Sequence, residues 1–146
     1  MNVQTELNKA WQKAQSLRGE RACRGPNDLD PDRAAATFLH QLQMTYKSHG
    51  VSQKVAEFAL GIRNHQIEPW IVTRDTVPVA CAALIRQSDG AKEIGRAVSI
   101  ENSTGVGKIA MLTAAISAGH SPLVAEIRLA DEFAGIPGGE ATQRIC

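Results

Sequence analysis

Residues 92–117 constrain the fold more than any other part of the chain. Lys92-Glu-Ile-Gly-Arg-Ala-Val-Ser-Ile100 reads as a strand, Glu101-Asn-Ser-Thr-Gly105-Val-Gly107-Lys108 as a glycine-bearing turn, and Ile109 to Ser117 as a helix with an apolar face. Gly119-His120-Ser121-Pro122 ends that helix, and Leu123-Val-Ala-Glu-Ile-Arg-Leu129 is a further strand. A helix between two strands carries the chain back across the sheet, which favours parallel strands joined by a right-handed crossover. The turn also has a chemical meaning. It leaves several backbone N–H groups at the positive end of a helix dipole, an arrangement that holds a phosphate or pyrophosphate.

The part before this unit divides in two. Residues 3–18 place Leu7, Trp11, Ala14 and Leu17 on one face at helical spacing. Gly19 to Leu29, with Gly25-Pro26-Asn27-Asp28, is a loop by its turn chemistry. Asp30-Pro31 supplies a capping acceptor and a proline at the first helical position. The helix it starts has an apolar face of Ala34, Ala35, Phe38, Leu39, Leu42 and Tyr46, with Gly50 as its stop. Ser52 can cap a third helix burying Val55, Phe58, Ala59 and Ile62, which Pro69 obliges to end before it. Pro69 to Arg74 and Val79 to Arg86 are then short β-rich or apolar runs, joined by Asp75 to Pro78, and Ser88 to Ala91 turns into the strand at 92. Antiparallel hairpins satisfy those spacings. Glu140 to Cys146 reads as one or two helical turns.

These elements predict a single domain over residues 1–146, helical through 66 and strand-rich from 67. Its class is α/β (α+β), a mixed and partly antiparallel sheet of four to five strands flanked by helices. The net charge of +1, from 16 basic and 15 acidic side chains, supplies no field for steering toward nucleic acid or an anionic membrane. No apolar run reaches the about 18 residues that span a bilayer. Three dispersed cysteines, Cys23, Cys81 and Cys146, show neither ligand spacing nor a disulfide framework, so a reduced cytoplasmic setting and no bound metal are expected. The histidines at 40, 49, 65 and 120 join no nucleophilic constellation.

Two glycine-loop readings fail on their own residues. A nucleotide P-loop needs a glycine where Asn102 stands and a hydroxyl where Ile109 stands. A dinucleotide fingerprint needs a third glycine where Ala110 stands. Asn102-Ser103-Thr104-Gly105-Val106-Gly107, following Glu93 to Val98, instead resembles the central motif of the GNAT superfamily, the acyl-CoA-dependent N-acyltransferases. In that family a strand ends in Gln/Arg-x-x-Gly-x-Gly/Ala and a helix begins. The order of two antiparallel strands, a third strand, the turn, a helix and a further strand is also similar, so the likeness covers roughly residues 69–130. Here Asn102 replaces the usual Gln or Arg, residues 1–18 are helical where the family opens with a strand, and Tyr46 is the only tyrosine. The family's general-acid tyrosine therefore has no counterpart.

The resemblance implies an N-acyltransferase that uses acetyl-CoA or another acyl-CoA on an unidentified small-molecule or peptide amine. It places the pyrophosphate on backbone N–H groups from Gly105 through Val106 and Gly107 to Lys108, whose ammonium adds charge. Ser103 and Thr104 hydroxyls assist, and main-chain groups of Val98 to Ile100 pair with the pantetheine arm. Glu93 is the candidate base, with Glu126 on the neighbouring strand and Asp131-Glu132 after it as further carboxylates. The alternative is a catalytically silent module that keeps the fold for binding or interaction. The partner expected beside the amine substrate is a second copy, in a homodimer completing the sheet at an open edge. A third reading places Ser52, Gln53 and Lys54 of a helix-turn-helix in a DNA groove, but nearby cations are few.

Overall fold

The computed structural model describes residues 2–45, 54–101, 104–128 and 140–145, and of residues 125–128 and 140–145 the backbone only. Helix α1 (Val3–Gln15) leads to strand β1 (Arg21–Arg24), a 3-10 turn at Pro26–Asp28, helix α2 (Pro31–Thr45) and helix α3 (Val55–Arg63). Strands β2 (Ile67–Arg74), β3 (Val77–Arg86) and β4 (Lys92–Ser99) follow, then helix α4 (Val106–Ser117) and strands β5 (Leu123–Arg128) and β6 (Glu140–Ile145). The six strands form one sheet in chain order. Every neighbouring pair is antiparallel except β4 and β5, which the intervening α4 makes parallel.

The helical first part starts as its caps dictate. The Asn2 side chain accepts from Thr5 N–H at 3.1 Å to open α1, and Asp30 Oδ2 accepts from Arg33 N–H at 3.0 Å to open α2. Of the face read for α1, Leu7 and Ala14 are buried while Leu17 lies past the helix end and is exposed. Ala34, Ala35, Phe38, Leu39 and Leu42 of α2 are buried as expected, and so are Phe58, Ala59 and Ile62 of α3. Val55 is exposed instead, because it occupies the first position of α3, beyond the sheet's cover. Tyr46, Gly50, Ser52 and Gln53 lie outside the described residues.

Two segments differ from the sequence reading. Residues 21–24, read as loop, pair with the end of β2 from Arg21 opposite Arg74 to Arg24 opposite Ile71. Residues 140–145, read as helical turns, form a strand paired along all of β5. Neither segment has strong β-propensity, and the partner strand decides both. The β2–β3 hairpin turns through Asp75 and Thr76, both at positive φ (48° and 74°), which matches the twist of the flanking strands. Asp75 also fastens β1: its N–H donates to Glu20 O and its Oδ1 accepts from Glu20 N–H, each at 2.8 Å. Pro69 is tolerated in β2 because it precedes the stretch that β1 covers.

The alternation of β3 builds two cores. Cys81 and Ala83 face Phe38, Phe58, Ile62 and Ile71 under α2 and α3. Ala80 and Ala82 face Leu7, Ala14, Val106 and Ile109 under α1 and α4. Small β3 residues let both helical layers approach the sheet closely. The α2–α3 pair thus spends its apolar faces on the sheet, the role of a structural layer. Among the described residues no helix is long and apolar enough to cross a membrane.

Candidate functional site

The site lies where β4 parts from β5. β5 pairs with β4 only at Lys92, Glu93 and Ile94, whereas β4 continues to Ser99. From Gly95 onward, among the described residues, no strand pairs with the β5-side edge of β4, which is left open. A bulge reinforces the parting. Cys81 opposes Val98 and Ala83 opposes Gly95, so Arg96 and Ala97 stand against one residue, with Arg96 at φ 55°.

That bulge reverses the strand's parity. Before it, Lys92 N–H points at β5 and donates to Pro122 O at 2.8 Å. After it, Ile100 N–H points at β3 and donates to Val79 O at 2.9 Å. By alternation the main-chain groups of Val98 face β3 as well, and those of Ser99 face the opening. Within the stretch Val98 to Ile100, read for main-chain contacts to a ligand, Ser99 is thus the residue whose groups point away from β3. The side chains change faces too: Ile94 packs under α4 and Val98 under α2. Nothing in the local sequence marks an extra residue at this position.

Ser99 leads into the glycine turn. Gly105 is the N-cap of α4 with φ 87°, and it offers no side-chain cap to the first amides of the helix. Those amides belong to Val106, Gly107 and Lys108. The Val106 side chain is fully buried in the core, which fixes the start of α4, while Lys108 is exposed. A Cβ on Gly105 would stand 3.2 Å from Ala10 O, and one on Gly107 3.2 Å from Ser99 Cβ. Both glycines thus serve close packing, with α1 and with β4, as well as leaving the amides open. Thr104 Oγ1 donates to Glu101 O at 3.4 Å and shapes the turn; Ser103 and Asn102 lie outside the described residues.

A cavity of about 450 Å³ opens at this turn, lined by Glu6, Lys9, Ala10, Lys13, Ser99, Glu101, Gly105, Gly107 and Lys108. Its floor is a buried ion pair. The Glu101 and Arg21 side chains are 9% and 3% exposed, and Arg21 donates through Nε to Glu101 Oε1 at 2.9 Å and also through Nη2. Arg21 Nη1 reaches Ala14 O, Arg18 O and Gly19 O at the end of α1. Arg74 adds a contact to Glu101 Oε2 at 3.3 Å. Burial alone would raise the Glu101 carboxyl. The hydrogen bonds from Arg21 and Thr104, with the charges of Arg21 and Arg74, outweigh it and hold the group below its ordinary value of 4.5. Sequence reasoning missed this pair, since its members are separated by 80 residues and one lies in an apparent loop.

Glu93 sits at the last stretch where β4 and β5 are paired, opposite Val124 on β5 and Ile85 on β3. Its Oε2 accepts from Gln87 Nε2 at 3.0 Å, which orients the carboxylate. Glu126 follows Ala125, the last β5 residue paired with β4, and Asp131 and Glu132 lie outside the described residues. Neither described cysteine offers a thiolate. Burial pushes the Cys23 thiol up to about 11 despite a hydrogen bond with Thr113, and Cys81 is likewise raised.

No protein-family model and no curated protein matches the chain. Solved structures do. An acyl-CoA N-acyltransferase from Pseudomonas aeruginosa superposes with a TM-score of 0.62 at 15% identity, over 87% of this chain and 99% of that one. The PaiA N-acetyltransferase from Thermoplasma acidophilum, in complex with coenzyme A, gives 0.57 at 13% identity, over 75% and 80% of the two chains. An acetyltransferase from Streptococcus agalactiae gives 0.54 at 15% identity, over 80% and 77%.

Proposed function

From a chain that has the GNAT acyl-CoA N-acyltransferase fold, we propose an enzyme that transfers an acyl group from acyl-CoA to an amine. The observation that carries this reading is the parting of β4 from β5 after Ile94, which opens a backbone edge leading to the bare amides of α4. Acyl-CoA has two parts that fit such a path. Its pantetheine arm carries amides that pair as an added strand along 95–99, with Ser99 as the outward-facing partner. Its pyrophosphate is an anion for the amides of Val106, Gly107 and Lys108. The Lys108 ammonium adds charge at the rim.

Pantetheine laid along this edge brings the thioester toward the closed end of the opening, where Glu93 stands. The amine nitrogen attacks the thioester carbonyl, the C–S bond breaks, and the nitrogen's proton passes to Glu93, directly or through one water. A thiol has an ordinary pKa of about 8.5, so the departing thiolate needs no strong acid, in keeping with the lack of a tyrosine counterpart. The acceptor is an amine of a small molecule or a peptide. The outer edge of β6 is the place for a second copy in a homodimer.

Binding tests this first. Acetyl-CoA at a hundred times its dissociation constant should stabilise the protein by about 2.7 kcal/mol and raise Tm by several degrees. A melt that ignores acetyl-CoA up to millimolar concentration removes the proposal. Release of CoA thiol with a panel of amines then separates an enzyme from a silent binding module. Glu93→Gln should lower kcat at least about a hundredfold with the acetyl-CoA shift retained.

A further inference from the structure

Helix α1 forms one wall of the cavity at the glycine turn. Lys9, Ala10 and Lys13 line it from α1, while Gly105, Gly107 and Lys108 line it from the turn. Two carboxylates share the space and both are matched, Glu6 by Lys9 at 3.6 Å and Glu101 by Arg21 and Arg74. Among the described residues Lys13 and Lys108 form no ion pair. The cavity therefore carries a positive excess on two facing walls, to which the start of α4 adds its own.

This wall is held in place. Arg21 joins Glu101 to the carbonyls that end α1, and Gly105 meets the backbone of Ala10 with no room for a side chain between them. Lys9 and Lys13 are one helical turn apart, so both ammonium groups are available on one face. A cavity of about 450 Å³ lies within the range of nucleotide-sized pockets. An acyl-CoA has a second anion besides its pyrophosphate, the 3′-phosphate on the adenosine ribose, and the turn amides are already committed to the first.

We infer that α1 is the second wall of the acyl-CoA site and that Lys13, with Lys9, binds the 3′-phosphate of the cofactor. The inference rests on the acyl-CoA reading above and adds a specificity to it: selection of CoA over the same molecule lacking that phosphate. Lys13 makes the primary contact, because Lys9 also serves Glu6. Arg21 acts as a positioning residue by keeping α1 against the turn.

Calorimetric titration with CoA and with 3′-dephospho-CoA tests it in the full chain. The wild type should bind CoA about tenfold or more tightly than dephospho-CoA, the effect of one charge-assisted hydrogen bond. Lys13→Ala, and Lys9→Ala with Lys13→Ala, should lose that preference while binding dephospho-CoA as the wild type does. Both changes replace exposed helix residues by a stronger helix former, and circular dichroism checks that the fold is kept. Equal wild-type affinity for the two ligands, or a preference that survives the double change, overturns the inference and leaves the acyl-CoA reading standing. Failure of the wild type to bind either ligand overturns both.

Discussion

Glu101 and Arg21 show how one buried pair can organise a binding turn. Removing a partner from such a pair leaves a nearly buried charge uncompensated. Glu101→Gln should therefore cost about 3 kcal/mol at neutral pH, measured by urea unfolding. Since the folded protein holds this carboxyl below 4.5, its stabilising effect is complete above that value and fades as pH falls through the lower folded value. The gap between wild type and Glu101→Gln should accordingly narrow in acid; a gap independent of pH would remove the pair from the account. Gly105 is a different case. Its φ of 87° and the 3.2 Å approach to Ala10 O both exclude a side chain, so Gly105→Ala should lower stability by about 2 kcal/mol. A variant that unfolds at the wild-type urea midpoint would contradict this packing role. The glycines were legible from sequence as the start of a helix with open amides. Their contact with α1 was not, because nothing in residues 101–108 records what packs on the turn from outside.

The elements divide by the source of their signal. Helices with a cap and a full apolar face, α2 above all, announce themselves locally. The Asp30 side chain satisfies an amide that α2 itself leaves unpaired, so Asp30→Ala should lower stability by about 1 kcal/mol, read as a lower midpoint in urea with an unchanged slope. No change in midpoint would mean that the helix start is held by packing alone. Strands β1 and β6 carry no comparable signal. Their residues alternate weakly, and they are strands because β2 and β5 present open ladders beside them. The bulge in β4 belongs with these. One extra residue turns Ser99 outward and Val98 inward, and only a ladder with its neighbour can reveal the insertion.

At the scale of the molecule, the sheet lies between an α2–α3 layer and an α1–α4 layer, and the site falls at the sheet's parting, beside the second layer. Helix α1 belongs both to the core and to the cavity wall. Its Leu7, Ala10 and Ala14 cover Val72, Val106 and Ile109. A chain beginning at Gly19 would expose that face, so it should lose the cooperative transition or bind a hydrophobic dye at ambient temperature. A shortened chain with a wild-type Tm would show that α1 is dispensable to the fold. The same deletion removes Lys9 and Lys13, which is why point substitutions test the cofactor wall and truncation does not.

The amino-acid sequence by itself determined which segments are helices with one apolar face, that a strand, a glycine turn and a helix occur in succession, and that the strands on either side of that helix run parallel. These follow from periodicity, caps and chain length, which act over a few residues. The tertiary structure alone decided the bulge in β4, the strands at 21–24 and 140–145, the Arg21–Glu101 pair and the placing of α1 against the turn. Each depends on groups far apart in the chain meeting in space, and a hydrogen-bond ladder or a buried charge acquires its partner only when the sheet and its helical layers have come together.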